Sequence, residues 1–195
     1  PNCDSKVFLK LLDMDWKPEH ISDGNCTALM FAFGCYSINK NCDSQVLLKL
    51  LDMDCKPESI NNYNWSALIY AFYYYGINCK CDSKVFLKLL DMDCKPEHIN
   101  NYNWTVLMYA FCFYGENKNC DSKVFLKLLD MDCKPNHINN DNYTALIYAF
   151  KNYKLKDLSP IKKLVNLLNK NHYKIKDKYN SDVFLHACKY SYPVI

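Results

Sequence analysis

Val85-Phe86-Leu87-Lys88-Leu89-Leu90-Asp91-Met92-Asp93 is one of four nearly identical stretches that decide the fold of this chain. The same nine residues stand at 7–15 and 124–132, and the stretch at 46–54 differs only by Leu47 in place of Phe. A Cys-Asp-Ser tripeptide precedes each copy, with a constant spacing of 39 residues. Such self-similarity is typical of repeat proteins, in which each unit buries its apolar face against its neighbours.

Each stretch predicts a helix, which we name helix B. In the third copy, Val85, Phe86, Leu89 and Leu90 fall at helical spacing, and the preceding Asp-Ser can cap the first free amides. The helix is expected to end near 91–93, because a proline follows three residues later and the residue before proline disfavours the helical conformation.

The other half of each unit predicts a second helix, named helix A, which starts at a Thr or Ser and runs through apolar residues to an alanine. Together the two patterns predict an all-α fold of stacked helix-turn-helix units in a single domain, 1–195. We expect a half repeat at 1–15, four units beginning near 27, 66, 105 and 144, and a capping half repeat at about 175–195. Its final helix A is expected near 182–190, and the lysines of the C-terminal quarter fit the polar outer face of a cap.

The order of these elements resembles the ankyrin repeat. The Thr-Pro-Leu-His-x-Ala block of that family is matched by 105–110, and its Leu-Leu pair by Leu128-Leu129. In the C-terminal unit, a 39-residue offset from Thr144 places Val183 on the Thr position and His186 on the motif His. The resemblance spans the chain and implies an ankyrin-like solenoid, with about six residues per unit beyond the family's usual ~33.

Two positions depart from the ankyrin pattern. Four units lack the motif His, so the hydrogen bonds that it makes in the family are not expected there. The turn glycine before helix A is replaced by asparagine, which enters the left-handed backbone region more readily than most residues. The substitutes are Met30, Ile69, Met108 and Ile147 for the His, and Asn25, Asn64, Asn103 and Asn142 for the glycine.

The resemblance implies a scaffold or adaptor that binds a partner protein on its concave face, without catalysis, cofactor or small-molecule substrate. The alternative is a structural element that assembles with copies of itself. The composition, rich in Asn, Tyr, Lys and Cys, is similar to that of ankyrin proteins from the mimivirus group of giant DNA viruses. A viral protein of this type is expected in the cytoplasm of the host.

Differences between the copies indicate where a partner would bind. Helix B hardly changes, whereas the turn before helix A and the end of helix A vary and carry large rings. Aromatic side chains dominate binding hot spots, so we predict that these rings contact the partner. For the two Trp residues, packing between repeats is an equally favoured alternative. The predicted contact residues are Tyr63, Trp65, Tyr73, Tyr74, Tyr102, Trp104, Phe113 and Tyr143.

Other residue patterns argue against an enzyme or a metal site. The Asp-Met-Asp pairs occur in every copy, whereas an active site is a single group of residues. We therefore expect these pairs to end helices, with the second Asp in a left-handed turn. His20, His98 and His137 share one repeat position without a nucleophile beside them. Most of the 12 cysteines also recur at fixed positions of the repeat. Equivalent positions in stacked units lie too far apart in space for a disulfide, so we predict free thiols in a reducing compartment.

Net charge and hydropathy narrow the partner class further. Residues 1–150 carry 14 Lys against 18 acidic residues, which opposes binding to a nucleic-acid backbone, whereas 151–195 carry 10 Lys against three Asp. No stretch approaches the ~18 apolar residues of a membrane helix, so neither a nucleic acid nor a membrane is the expected partner.

Overall fold

The computed structural model describes residues 4–14, 17–39, 42–53, 55–168 and 174–189. Within these ranges the chain forms ten α-helices and no strand, which confirms the all-α prediction. The helices are α1 (Ser5–Leu12), α2 (Ala28–Phe31), α3 (Ser44–Leu50), α4 (Ala67–Tyr70), α5 (Ser83–Asp91), α6 (Val106–Cys112), α7 (Ser122–Leu129), α8 (Ala145–Asn152), α9 (Ser159–Leu167) and α10 (Val183–Lys189). Two π-helical turns extend α2 and α4, at Ala32–Tyr36 and Ala71–Tyr75, and a 3-10 turn, Tyr114–Glu116, follows α6.

Side-chain caps explain where the helices begin. At the start of α5, the Asp82 carboxylate accepts a hydrogen bond from the Lys84 N–H, 2.9 Å away. At the start of α6, the Thr105 hydroxyl accepts from the Met108 N–H at 3.3 Å. Each cap satisfies an amide that has no partner inside its helix, and the same arrangement recurs in the other units.

The turn before each helix A follows the sequence prediction. Asn25, Asn64, Asn103 and Asn142 all have positive φ, between 56° and 61°, as predicted for residues at the turn-glycine position. A single antiparallel bridge closes each turn, for example between Ile99 and Thr105.

A buried asparagine organises the inside of each turn. The Asn100 Oδ1 atom accepts hydrogen bonds from the N–H groups of Tyr102 (3.1 Å) and Trp104 (2.9 Å). Its Nδ2 group donates to the Tyr109 hydroxyl at 2.8 Å, which ties the turn to helix A. Asn61 and Asn139 make the equivalent bonds in their own units.

Consecutive units stack through equivalent elements. Each helix B packs on the next helix B, from α1 through α3, α5, α7 and α9, and helix A packs similarly on helix A as far as α10. The buried core runs continuously through the units, with fully buried rings such as Phe72, Phe86 and Phe125. Each unit is therefore stabilised largely by its immediate neighbours.

A repeated lysine joins each helix B to the one before it. Lys88 forms an ion pair with Asp52 and also donates to the Leu48 carbonyl oxygen at 3.1 Å. Lys49, Lys127 and Lys163 make equivalent pairs with Asp13, Asp91 and Asp130. The first Asp of each Asp-Met-Asp motif thus connects two units, and its recurrence in every copy has a structural cause.

The second Asp of the motif does not take the predicted left-handed turn. Neither Asp93 nor Asp132 has positive φ. Met92 is already extended, with φ −85° and ψ 167°, so the chain leaves α5 without a left-handed residue. The corresponding Asp15 and Asp54 lie outside the described residues.

The C-terminal unit is shifted by one residue from the predicted register. Its left-handed asparagine is Asn180, 38 residues after Asn142. The cap position predicted for Val183 is occupied by Asp182, whose carboxylate accepts from the Leu185 N–H at 2.9 Å. A valine side chain cannot make this bond, so capping selects the observed register.

This shift changes the assignment of His186. It corresponds to Tyr148 and not to Ile147, so it does not occupy the ankyrin motif His position. His186 Nε2 lies 2.9 Å from Asp177 Oδ2, nine residues earlier, just as Asn139 meets Tyr148 in the preceding unit. The C-terminal unit therefore replaces the Asn–Tyr contact with a buried Asp–His contact.

Candidate partner-binding surface

Five of the predicted contact residues form one connected group of half-buried rings, which we call the aromatic surface. It consists of Trp65, Tyr73, Tyr74, Trp104 and Phe113. Ring centroids are 4.6 Å apart for Tyr73 and Tyr74, and 4.5 Å apart for Tyr73 and Phe113. These distances are typical of favourable edge-to-face or tilted contacts, so the rings hold one another in place.

The two Trp residues pack between units. Trp65 lies 5.2 Å from Tyr70 in its own unit and 5.6 Å from Tyr109 in the next. Trp104 lies 4.7 Å from Tyr148, again in the following unit. The alternative that these rings contribute to inter-repeat packing therefore holds, although both remain partly exposed.

Tyr63 and Tyr102 lie beside the aromatic surface at the tips of two turns. They are 61% and 58% exposed, which makes them the most accessible of the predicted rings. Their backbones are fixed, because the N–H of each is held by the buried asparagine two residues earlier. Each turn thus presents a largely free ring on an ordered backbone.

Tyr143 departs from the prediction. It is only 8% exposed, stacks on Tyr148 at 5.3 Å and lies 6.2 Å from His186 of the following unit. The C-terminal unit therefore covers this ring, which leaves little of it available to a partner.

The repeated tyrosines of helix A support the aromatic surface, although the sequence analysis did not single them out. Tyr70 packs against Trp65, and burial raises the pKa of its hydroxyl to about 12. Burial also raises the pKa of Tyr109, whose ring lies 5.0 Å from Trp104. Both hydroxyls stay protonated at neutral pH. Because the same tyrosine recurs in three units, the comparison between copies gave no signal for its position under the variable rings.

A glycine allows two neighbouring units to approach closely beside the aromatic surface. A Cβ atom on Gly34 would lie 2.9 Å from the Tyr70 ring. The equivalent positions in the later units are Tyr73, Cys112 and Lys151. At this position the first full unit therefore contributes no ring to the aromatic surface, whereas the second contributes Tyr73.

The repeated histidines and cysteines are placed separately from one another. His20 is exposed, and His137 Nε2 lies 3.0 Å from the Asn103 side-chain oxygen in the previous unit. The eleven described cysteines are all free thiols, and burial raises the pKa of Cys42, Cys94 and Cys120 to about 11. In the described part of the chain, no three His, Cys, Asp or Glu side chains are grouped closely enough to hold a metal ion.

Comparison with known proteins adds no assignment. A scan against models of protein families found no match, and a search of curated proteins found none either. Among the helices of the described ranges, none combines the length and apolar character needed to cross a membrane.

Proposed function

We propose that this chain is an ankyrin-like solenoid that binds a partner protein through the aromatic surface and the neighbouring Tyr63 and Tyr102. Three features support the solenoid: the stacking of like helices, the hydroxyl cap of helix A, and the left-handed asparagine at the family's glycine position. The partner class is a protein, because residues 1–150 carry a net negative charge that disfavours nucleic acid.

The main support for the proposal is that two large rings, Tyr63 and Tyr102, are accessible to a partner and lie outside the buried core. Tyr63 and Tyr102 are mostly exposed beside five half-buried rings from two adjacent units. Large rings with a polar edge gain contact area at small entropic cost, and clustered exposed apolar groups mark binding surfaces. The arrangement fits a protein surface that offers apolar side chains and hydrogen-bonding groups together.

A binding role fits the polar chemistry better than a catalytic one. The recurring Asp13, Asp52, Asp91 and Asp130 carboxylates are each paired with a lysine of the next unit. The raised pKa values of Cys94 and Cys133, about 11 and 12, keep these thiols protonated and weakly nucleophilic at neutral pH.

The test compares two double variants with a matched control. Tyr63→Ala with Tyr102→Ala removes the exposed rings, and Tyr74→Ala with Phe113→Ala removes rings of the aromatic surface. Lys84→Ala with Lys123→Ala changes exposed positions on helix B. Partners captured from lysate by the parent chain are quantified by mass spectrometry, and their affinities for each variant are then measured with purified protein.

We expect the control to bind like the parent and the Tyr63/Tyr102 variant to lose on the order of a thousandfold in affinity, from about 2 kcal/mol for each hot-spot ring. Its melting temperature should match that of the parent, because these rings are largely exposed. Unchanged affinity in both aromatic variants would refute the proposed surface. A loss confined to Tyr74/Phe113 and accompanied by a much lower melting temperature would assign those rings to the core instead.

A further inference from the structure

A small pocket, which we call the Cys26 pocket, lies between the A helices of the first and second full units. Its volume is about 210 Å³. The first unit contributes Cys26, Gly34 and Cys35 to its lining, and the second contributes Tyr70 and Tyr74. Cys35 is exposed, so a group in solution can enter the pocket. Because Tyr74 also belongs to the aromatic surface, the pocket continues that surface toward the first unit.

One unit later, an aromatic side chain fills the equivalent space. The Trp65 ring lies 5.5 Å from Tyr73 in its own unit and 5.6 Å from Tyr109 in the next. Tyr109 is the counterpart of Tyr70, which lines the Cys26 pocket. The space between two adjacent A helices therefore accepts an indole when the turn supplies one.

Three differences between the units leave this space open in the first one. Where the second unit carries an indole and two phenols, the first carries two thiols and a glycine. The Tyr70 ring lies against the bare backbone of Gly34, since a Cβ atom there would be 2.9 Å from it, but the rest of the space is unfilled. The differing residues are Cys26, Gly34 and Cys35 in place of Trp65, Tyr73 and Tyr74.

The turn already uses the polar atoms at the base of the pocket. Asn61 Nδ2 donates to the Tyr70 hydroxyl at 3.1 Å and to the Cys26 sulfur at 3.5 Å. Burial raises the pKa of Tyr70 to about 12, so its hydroxyl is neutral at physiological pH. Among the described residues that line the pocket, none is an acid or a base of ordinary charge. Such a lining favours an uncharged apolar group over an ion, which would lose its hydration without gaining a partner.

The size of the pocket fits a single ring. An apolar cavity of about 150 Å³ in another protein binds benzene. Pockets for drug-sized ligands begin at about 300 Å³, which is larger than this one. In the equivalent site, Trp65 Nε1 makes no hydrogen bond to the described part of the chain, so packing holds that indole in place.

We propose that the Cys26 pocket receives one aromatic side chain of the partner protein, inserted between the two units as Trp65 is one unit later. The proposal rests on the protein-binding function proposed above and adds the class of residue that the partner presents. A large ring seated in a pocket and surrounded by weaker contacts is the usual arrangement of a binding hot spot. The rings of the aromatic surface would supply those surrounding contacts.

The first test uses indole as the probe and therefore does not depend on the partner. Indole is titrated into the full chain, labelled with ¹³C at the methionine methyl groups, and followed by NMR. Met30 lines the pocket, whereas its counterpart Met108 is fully buried in the third unit, where Trp104 supplies a ring. We expect the Met30 resonance to shift with a dissociation constant on the order of 1 mM, while Met108 stays unchanged. n-Butylammonium, which resembles a lysine side chain, should shift neither resonance.

The second test fills the pocket from within. Cys26→Trp places an indole where Trp65 stands one unit later, and Cys188→Trp makes the same change at an exposed cysteine of α10 as the control. We expect Cys26→Trp to melt no lower than the parent and to weaken the binding of both indole and the purified partner at least about tenfold. The control should bind both like the parent. Cys35→Tyr restores the ring that Tyr74 supplies one unit later, and it replaces Cys26→Trp if that variant does not fold.

The outcomes separate the pocket from the proposed function. A Met30 resonance that does not move up to about 10 mM indole would overturn the pocket, as would tighter binding of n-butylammonium than of indole. The pocket is also overturned if the filled variant keeps the parent's affinity for the partner while Tyr63→Ala/Tyr102→Ala loses it; the aromatic surface then binds without the pocket. If both aromatic double variants bind the partner like the parent, the proposed function fails, and the pocket loses its assigned occupant with it.

Discussion

Replacement of Asn100 by Ala should destabilise the fold far more than its single side chain suggests. This amide is 4% exposed and makes three hydrogen bonds, accepting from Tyr102 N and Trp104 N and donating to the Tyr109 hydroxyl. Alanine would leave two turn N–H groups and a buried phenol without these partners. At about 1 kcal/mol for each bond, with an added cost for unsatisfied buried groups, we expect a loss of roughly 3–5 kcal/mol.

The assay is equilibrium urea unfolding followed by circular dichroism, with three variants for comparison. Asn101→Ala is the matched control, because Asn101 is exposed and its loss should cost less than about 1 kcal/mol. Tyr109→Phe removes only the hydroxyl, and the Asn100→Ala/Tyr109→Phe double variant completes a mutant cycle. The double variant should cost less than the sum of the two single changes, because no unpaired phenol remains.

The outcome that would refute this reasoning is specific. If Asn100→Ala loses no more stability than Asn101→Ala, the buried amide does not organise the turn. If the stability losses of the two single variants sum to the loss in the double variant, the Asn100–Tyr109 hydrogen bond contributes nothing measurable to the coupling between turn and helix.

Two further measurements test the C-terminal unit and the thiols. Burial alone would raise the pKa of Asp177, but hydrogen bonds from Ser181, His186 and Tyr179 outweigh it and hold the folded pKa below its usual value. A depressed folded pKa stabilises the fold above the unfolded value of about 3.9 and ceases to do so as the pH falls through the folded pKa. The protection of the α10 amides from hydrogen exchange, relative to an unfolded chain at the same pH, should therefore fall more below about pH 4 in the parent than in Asp177→Asn. An equal loss of protection in the two proteins would contradict the assignment. For the thiols, alkylation at pH 8 followed by mass spectrometry should label exposed Cys79 at least about a hundredfold faster than buried Cys81, whose pKa is raised by burial, and similar rates would contradict this burial.

The repeat determined most of what the sequence could predict about the fold. Helix B ends at Asp91 in α5, within the predicted region, and the asparagine turns take the predicted left-handed conformation. These features depend on local chemistry, namely caps, backbone conformation and helical spacing, that recurs in four copies. Two predictions were wrong: Asp93 and Asp132 do not take the left-handed conformation, and the C-terminal register is shifted by one residue, because Asp182 takes over a cap that Thr or Ser provides elsewhere. The Tyr179-Asn180 pair, which matches Tyr102-Asn103, carried the signal that could have corrected it.

The aromatic residues show a different limit. Variation among copies identified Tyr63 and Tyr102, and both prove to be accessible. The same criterion selected Tyr143, which is buried by a unit whose register had been misplaced. Exposure of a side chain depends on its neighbour in the next unit, so it could not be predicted at a position where that neighbour was wrongly aligned.

The lysine that joins each helix B to the previous one also bears on how the chain can change in length. Lys49, Lys88 and Lys127 meet equivalent partners because 39 residues separate them. Duplicating or deleting one whole unit preserves these pairs, so the protein can lengthen or shorten in whole-unit steps. A shift of three residues is also accommodated: a 39-residue step from Lys127 leads to Asn166, and Lys163, about one helical turn earlier, pairs with Asp130 in its place. In the turn that follows, a 38-residue step coincides with a buried Asp177–His186 pair in place of the Asn–Tyr contact.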